Sequence, residues 1–109
     1  MTTSAKFTHE RRGDIARVQV GRDLGFRNAA AFKAHCQGLL ATGVQKLVLD
    51  FSTTEVMDST GLGALFSLYR SIQPNRGQIA IYQPSSSVQV VMRVTRAYKI
   101  FPTWTEAWD

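Results

Sequence analysis

The sequence predicts an α/β fold: a mixed, mostly parallel sheet of about five strands, opened by an N-terminal antiparallel hairpin and covered by three to four helices. Three observations predict it. Apolar residues gather in strand-length runs at Ile15–Val20, Leu47–Phe51 and Ile79–Tyr82. Between these runs apolar residues recur at helical spacing, as in Leu62, Leu65, Phe66, Tyr69 and Ile72. After the opening hairpin, strand and helix patterns alternate, which calls for parallel pairing through right-handed crossovers. With 109 residues, no internal repeat and no linker-like stretch, residues 1–109 read as one domain able to bury its own core.

The elements follow in the order β-β-α-β-α-β-α-β. Phe7 to Glu10 is a weak first strand, and Arg11-Arg12-Gly13-Asp14 supplies a hairpin turn in which Gly13 is free to take positive φ. Ile15 to Val20 alternates, with Ala16, Val18 and Val20 on one face, as a half-buried antiparallel strand does. Gly21 breaks it. A loop leads to Asn28, a suitable N-cap for a helix whose stripe is Ala29, Phe32, Cys36, Leu39 and Leu40. His35 falls beside that stripe and reads as a lone boundary residue. Thr42-Gly43 ends the helix. The strand Lys46 to Phe51 is apolar at consecutive positions, so cover is expected on both faces of the sheet. Pro74-Asn75-Arg76-Gly77 stops the second helix, and Gln78 to Tyr82 is the next strand. Pro84-Ser85-Ser86-Ser87 starts a third helix with a narrow stripe of Val88, Val91, Met92 and Thr95. Ile100-Phe101 reads as a short last strand and Pro102 to Asp109 as a tail. In that tail Trp104 and Trp108 stand four apart, able to cap the core or to form a contact surface.

Composition excludes several function classes. Cys36 is the sole cysteine, so no internal disulfide or CxxC metal site is expected, and a buried thiol suits a reducing compartment. No apolar run approaches the ~20 residues needed to cross a bilayer, and Met1 to Lys6 lacks the apolar centre of a signal peptide. A cytoplasmic location without membrane insertion is the expectation. The net charge of +5 suits solubility or an acidic partner. Arg11-Arg12 is the longest basic run and no cationic face forms, which argues against nucleic-acid binding.

The chemistry sits at Asp58-Ser59-Thr60-Gly61, where a loop after the central strand enters a helix. A helix start has unpaired N–H groups and about half a positive charge. One reading makes Asp58 or Ser59 an N-cap. The other makes Ser59 a modifiable hydroxyl: a phosphate there adds about −1.5 to −2 charges and three acceptor oxygens. Gly61 and Gly63 leave no large side chain over the turn, so a partner can approach. Catalytic readings lack support. His9 and His35 lie on other elements, and Gly61-Leu62-Gly63 lacks the Lys-Ser/Thr ending of a phosphate-binding loop. Asp50 and Asp58 make only a weak cation-site signal. Neither a catalytic residue, a metal nor a cofactor is therefore assigned.

The run Leu47-Val48-Leu49-Asp50-Phe51 followed by Val56-Met57-Asp58-Ser59-Thr60-Gly61-Leu62-Gly63 resembles the signature of the STAS domain. It is most similar to that of the bacterial anti-sigma factor antagonists, and the likeness covers most of the chain. It implies a STAS-like fold and a partner-switching module. Ser59 would be phosphorylated by an anti-sigma factor that is also a GHKL-type serine kinase, bound only by the unphosphorylated form. A metal-dependent serine phosphatase would reset it. Asp58, Ser59, Thr60, Gly61 and Asp23 would form the partner-binding surface, and a weak homodimer is allowed. Asp23 is shifted from the usual position of the family's loop acid, and the usual final helix is nearly missing after Trp104. The alternative is a constitutive STAS subunit of a transporter complex, as in bacterial phospholipid transport, bound to an ATPase through an exposed Leu68, Trp104 and Trp108. A small hydrolase or nucleotide-binding enzyme is a third reading, without a base or phosphate cradle to support it.

Overall fold

The computed structural model describes residues 7–105. Its main sheet is built from β1 (Thr8–Arg12), β2 (Ile15–Gln19), β4 (Lys46–Asp50), β6 (Gln78–Tyr82) and β7 (Thr103–Trp104), in the order β1-β2-β4-β6-β7. The pair β1 and β2 is antiparallel and every later pair is parallel. The crossovers are α1 (Ala29–Ala41), α2 (Ser59–Ile72) and α3 (Ser86–Val94). The mixed sheet, the opening hairpin and the three helices are as expected.

Strand order explains the layers. The chain steps along the sheet in one direction, β2 to β4 to β6 to β7, so right-handed crossovers place all three helices on the same face. The core lies there. Ala16, Val18, Leu47, Leu49, Ile79 and Ile81 from the strands meet Phe32 and Cys36 of α1, Leu65 and Leu68 of α2, and Val88 of α3. Both faces of the central strands are covered as expected, the far one by side chains rather than helices: among the described residues no helix lies on that side. There Val48 and Ala80 are buried outside the main cluster. Long side chains line the same face, with Arg17 over the Tyr82 ring and the Lys46 ammonium over Trp104. Amphipathic stems and rings can shield apolar surface while their polar ends stay wet. The exposed Leu68 invoked for a permanent contact is corrected, because Leu68 faces the core at 0% exposure.

Three local differences follow from chemistry the pattern conceals. The hairpin turn is tighter, with Arg11 and Arg12 inside β1 and Gly13 at φ 63°. Arg11 stays in the strand because its guanidinium donates to the Gly13 carbonyl and to Thr42 at the end of α1. The last strand is Thr103–Trp104 rather than Ile100-Phe101. Ala97–Lys99 forms a 3-10 turn instead, which sets Phe101 into the core between the Phe66 and Tyr69 rings and leaves Ile100 exposed. Trp104 is half-buried in β7, and Trp108 lies outside the described residues. Lastly, β3 (Asp23–Leu24) and β5 (Val56–Met57) pair in parallel as a two-stranded ribbon that the sequence pattern missed. Two-residue strands are too short to show a period.

Candidate functional site

That ribbon builds the site. It brings the loop after β2 and the loop after β4 together at the C-terminal edge of the sheet, beside the start of α2. Cross-bonds hold the pair: the Glu55 and Val56 N–H groups donate to the Arg22 carbonyl and the Asp58 N–H to the Leu24 carbonyl. The Thr54 hydroxyl, fully buried, donates to the Gly21 carbonyl and fixes the same junction. Asn28 precedes α1 as expected but does not cap it. Its side-chain oxygen accepts from the Gly25 N–H and its amide donates to the Asp23 carbonyl, so it braces the loop.

Asp58, not Ser59, fills the cap position at the helix start. It is the N-cap of α2: one carboxylate oxygen accepts from the Gly61 N–H at 2.9 Å, and the other accepts from the Phe26 N–H at 3.1 Å. The Gly61 bond first, then those from Phe26 and Thr60, hold its carboxyl below the usual range against some opposing desolvation. One acid thus caps the helix and ties down the neighbouring loop. Ser59 is the first residue of α2 and is exposed, as is Thr60. Because Asp58 performs the capping, the Ser59 hydroxyl is not needed for it.

The glycines divide by role. A Cβ on Gly61 would overlap the Leu24 carbonyl oxygen and stand 2.8 Å from its carbon. One on Gly25 would lie 2.6 Å from the Asp58 carboxylate. Gly61 faces backbone and admits only glycine at this separation of loop and helix, whereas a side chain at Gly25 would displace the Asp58 carboxylate. Gly61 is therefore buried under Leu24 and shapes the surface from beneath, whereas Gly63 faces open space.

Asp23 stands exposed on β3, in register with Val56 of β5. It lines a shallow cleft of ≈ 330 Å³ with Phe26, Arg27, Glu55, Val56 and Asp58. The shifted acid thus reaches the same end as Ser59. Phe26 is 74% exposed and Val56 58%, and both belong to this surface without having been singled out from sequence. The signal was available: Phe26 sits in a short polar loop, outside any helical or alternating stripe. Arg27 lies over its ring at 5.8 Å, and Arg22 pairs with Glu55 at 3.3 Å. The carboxylates considered as a cation pair are committed apart. Asp50 faces Arg17 at 3.8 Å and accepts from the Ser52 N–H, while Asp58 caps α2.

His35 is not alone. His9 on β1 reaches it, with His9 Nδ1 at 3.0 Å from His35 Nε2. Burial first, then the nearby His9, lowers the affinity of the His35 imidazole for a proton. Twenty-six residues of sequence separate them, which is why neither looked paired.

Residues 6–107 match the STAS domain family. A Thermotoga maritima protein named provisionally as an anti-sigma factor antagonist is 30% identical over 100 residues, 88% of each chain. Among solved structures, a crystal structure of a Thermotoga maritima protein under the same provisional name superposes with TM-score 0.83 at 26% identity, covering 92% of this chain and 86% of that one. The unphosphorylated anti-sigma factor antagonist SpoIIAA superposes with TM-score 0.79 at 18% identity, covering 93% and 90%. At that identity the likeness to SpoIIAA is one of fold.

Proposed function

Since the chain belongs to the STAS domain family, we propose that it is an anti-sigma factor antagonist switched by phosphorylation at Ser59. Its unphosphorylated form binds an anti-sigma factor that is also a GHKL-type serine kinase, and a metal-dependent serine phosphatase reverses the modification. The partner-binding surface comprises Asp23, Asp58, Ser59 and Thr60, with Gly61 holding the helix start against Leu24 from below. The names of the Thermotoga relatives support the class of partner.

The observation that carries the reading is an exposed Ser59 beside a helix cap already filled by Asp58. Asp58 takes up the N–H groups of Gly61 and Thr60, so little of the helix start is left to neutralise a phosphate on Ser59. The added charge stays on the surface, next to an ionised carboxylate. A partner that docks there must desolvate both anions, which costs several kcal/mol. A penalty of about 4 kcal/mol corresponds to nearly a thousandfold weaker binding. The fold need not change.

Incubation with the cognate kinase and ATP, followed by phosphopeptide mapping, tests this. Phosphate is expected on Ser59 and is expected to vanish in Ser59→Ala. Modification at another residue, or undiminished labelling of Ser59→Ala, refutes the assignment.

A further inference from the structure

We infer that His9 and His35 form a two-imidazole chelating site for a divalent transition-metal ion of the zinc, nickel or copper class. The site lies on the helix-covered side of the edge strand β1, where His9 faces His35 in the second turn of α1. The ring centroids are 4.9 Å apart and the planes meet at 61°.

The geometry is close to that of a chelate. In the neutral pair one ring nitrogen donates and the other accepts, across 3.0 Å. Imidazole binds zinc at about 2.0–2.1 Å, so two such ligands on a tetrahedral ion stand about 3.3 Å apart. For both facing nitrogens to offer lone pairs, the donor ring carries its proton on its other nitrogen, and the rings turn so that the lone pairs converge on the ion; the N···N separation then opens by only about 0.3 Å. The ligands sit on a strand and a helix rather than on loops, which keeps the separation fixed. Phe7 packs edge-on against Phe32 at 5.4 Å and tilts over the His35 ring at 6.1 Å, supporting that ring.

The surroundings favour these nitrogens as the ligands. Glu10, next along β1, is engaged with Arg17 at 2.7 Å. Arg11 is committed to Gly13 and Thr42. Cys36 adjoins His35 in sequence but is fully buried in the core. Gly38, one turn after His35, is exposed and carries no side chain, so none from that position covers the pair. Among the described residues no group of three or more His, Cys, Asp or Glu gathers. The described residues thus supply two ligands and water the rest, a site open to exchange. Imidazole ligands suit zinc, copper and nickel and give no hold on magnesium or calcium. A bound ion would tie the edge strand to α1 and stabilise the folded form.

Calorimetric titration of the untagged full chain with ZnCl2 near neutral pH, alongside thermal melts, tests the site. One zinc per chain is expected, with a raised Tm and no response to MgCl2. His9→Gln, at an exposed position, and His35→Gln should each weaken zinc binding by about tenfold or more, at least what losing a ligand's outer partner costs. Each should also remove the rise in Tm. Zinc binding unchanged in His9→Gln, or no binding by the wild-type chain at millimolar zinc, overturns the inference.

Discussion

Gly61 and Gly63 lie two residues apart in the first turns of α2, and alanine at each should move stability in opposite directions. A Cβ on Gly61 overlaps the Leu24 carbonyl oxygen and approaches the carbonyl carbon to 2.8 Å, where ordinary contact begins at 3.4 Å. The obstacle is backbone, so no side chain can swing aside. Loop and helix must part, which strains the Asp58 N–H bond to the Leu24 carbonyl and the pairing of β3 with β5. Overpacking of this kind costs about 3 kcal/mol, the upper end of its usual range. Alanine's better helix propensity returns about 1 kcal/mol. The net loss for Gly61→Ala is therefore about 2 kcal/mol, or roughly a 10 °C fall in Tm for a chain of this size. Gly63→Ala meets open space and should gain about 0.5–1 kcal/mol from propensity alone. Urea unfolding followed by circular dichroism reads both, with an unchanged m-value marking a pure stability effect. A Gly61→Ala protein within about 0.5 kcal/mol of wild type, the range of an ordinary surface change, would refute the close approach of helix and ribbon.

Other outcomes follow from the same geometry. The folded-state pKa of Asp58 is depressed, so its stabilisation is complete above the ordinary carboxylate range and is lost as pH falls through the folded value. Asp58→Asn should accordingly flatten the acid limb of a stability-versus-pH curve, and an unchanged limb would count against the cap. Phe26→Ala should leave Tm nearly unchanged while weakening partner binding about thirtyfold, as loss of an exposed aromatic anchor worth about 2 kcal/mol would. Equal affinity of the variant in a surface-binding assay would remove Phe26 from the interface. The Cys36 thiol is fully buried and its pKa is pushed up to about 12, so thiol reagents at mildly alkaline pH should label it only after unfolding. Fast labelling of the native chain would mean that α1 opens locally.

The parts of the fold readable from sequence were those with a clear period. The stripe of α1 and the alternation of β2 report a burial pattern that the core reproduces, whereas on α2 the core takes Leu65 and Ile72 together with Leu68, and Leu62, Phe66 and Tyr69 are only partly buried at its margin. What escaped was set by contacts between distant residues. The β3–β5 ribbon depends on Leu24 and Met57 meeting across thirty-three positions, and two-residue strands carry no pattern of their own. The consecutive apolar residues of β4 called for cover on both faces but not for what supplies it: over Val48 and Ala80 it is aromatic rings and the stems of Arg17 and Lys46. At the site, the Asp58-Ser59-Thr60-Gly61 string was legible because loop-to-helix chemistry is local. Its division of labour was not: only the approach of Leu24 reveals that Gly61 serves packing, and only the Phe26 N–H reveals that Asp58 holds a second loop. Val56 and the His9–His35 pair became visible once the chain was folded, whereas Phe26 already stood out of any stripe in its loop.

The most direct measurement compares the affinity of one partner, the cognate anti-sigma factor kinase, for the unmodified chain and for the chain carrying phosphate on Ser59. Binding should weaken by about a thousandfold, the equivalent of roughly 4 kcal/mol, while the circular dichroism spectrum and Tm of the two forms stay close. Equal affinities would contradict a charge switch at the start of α2.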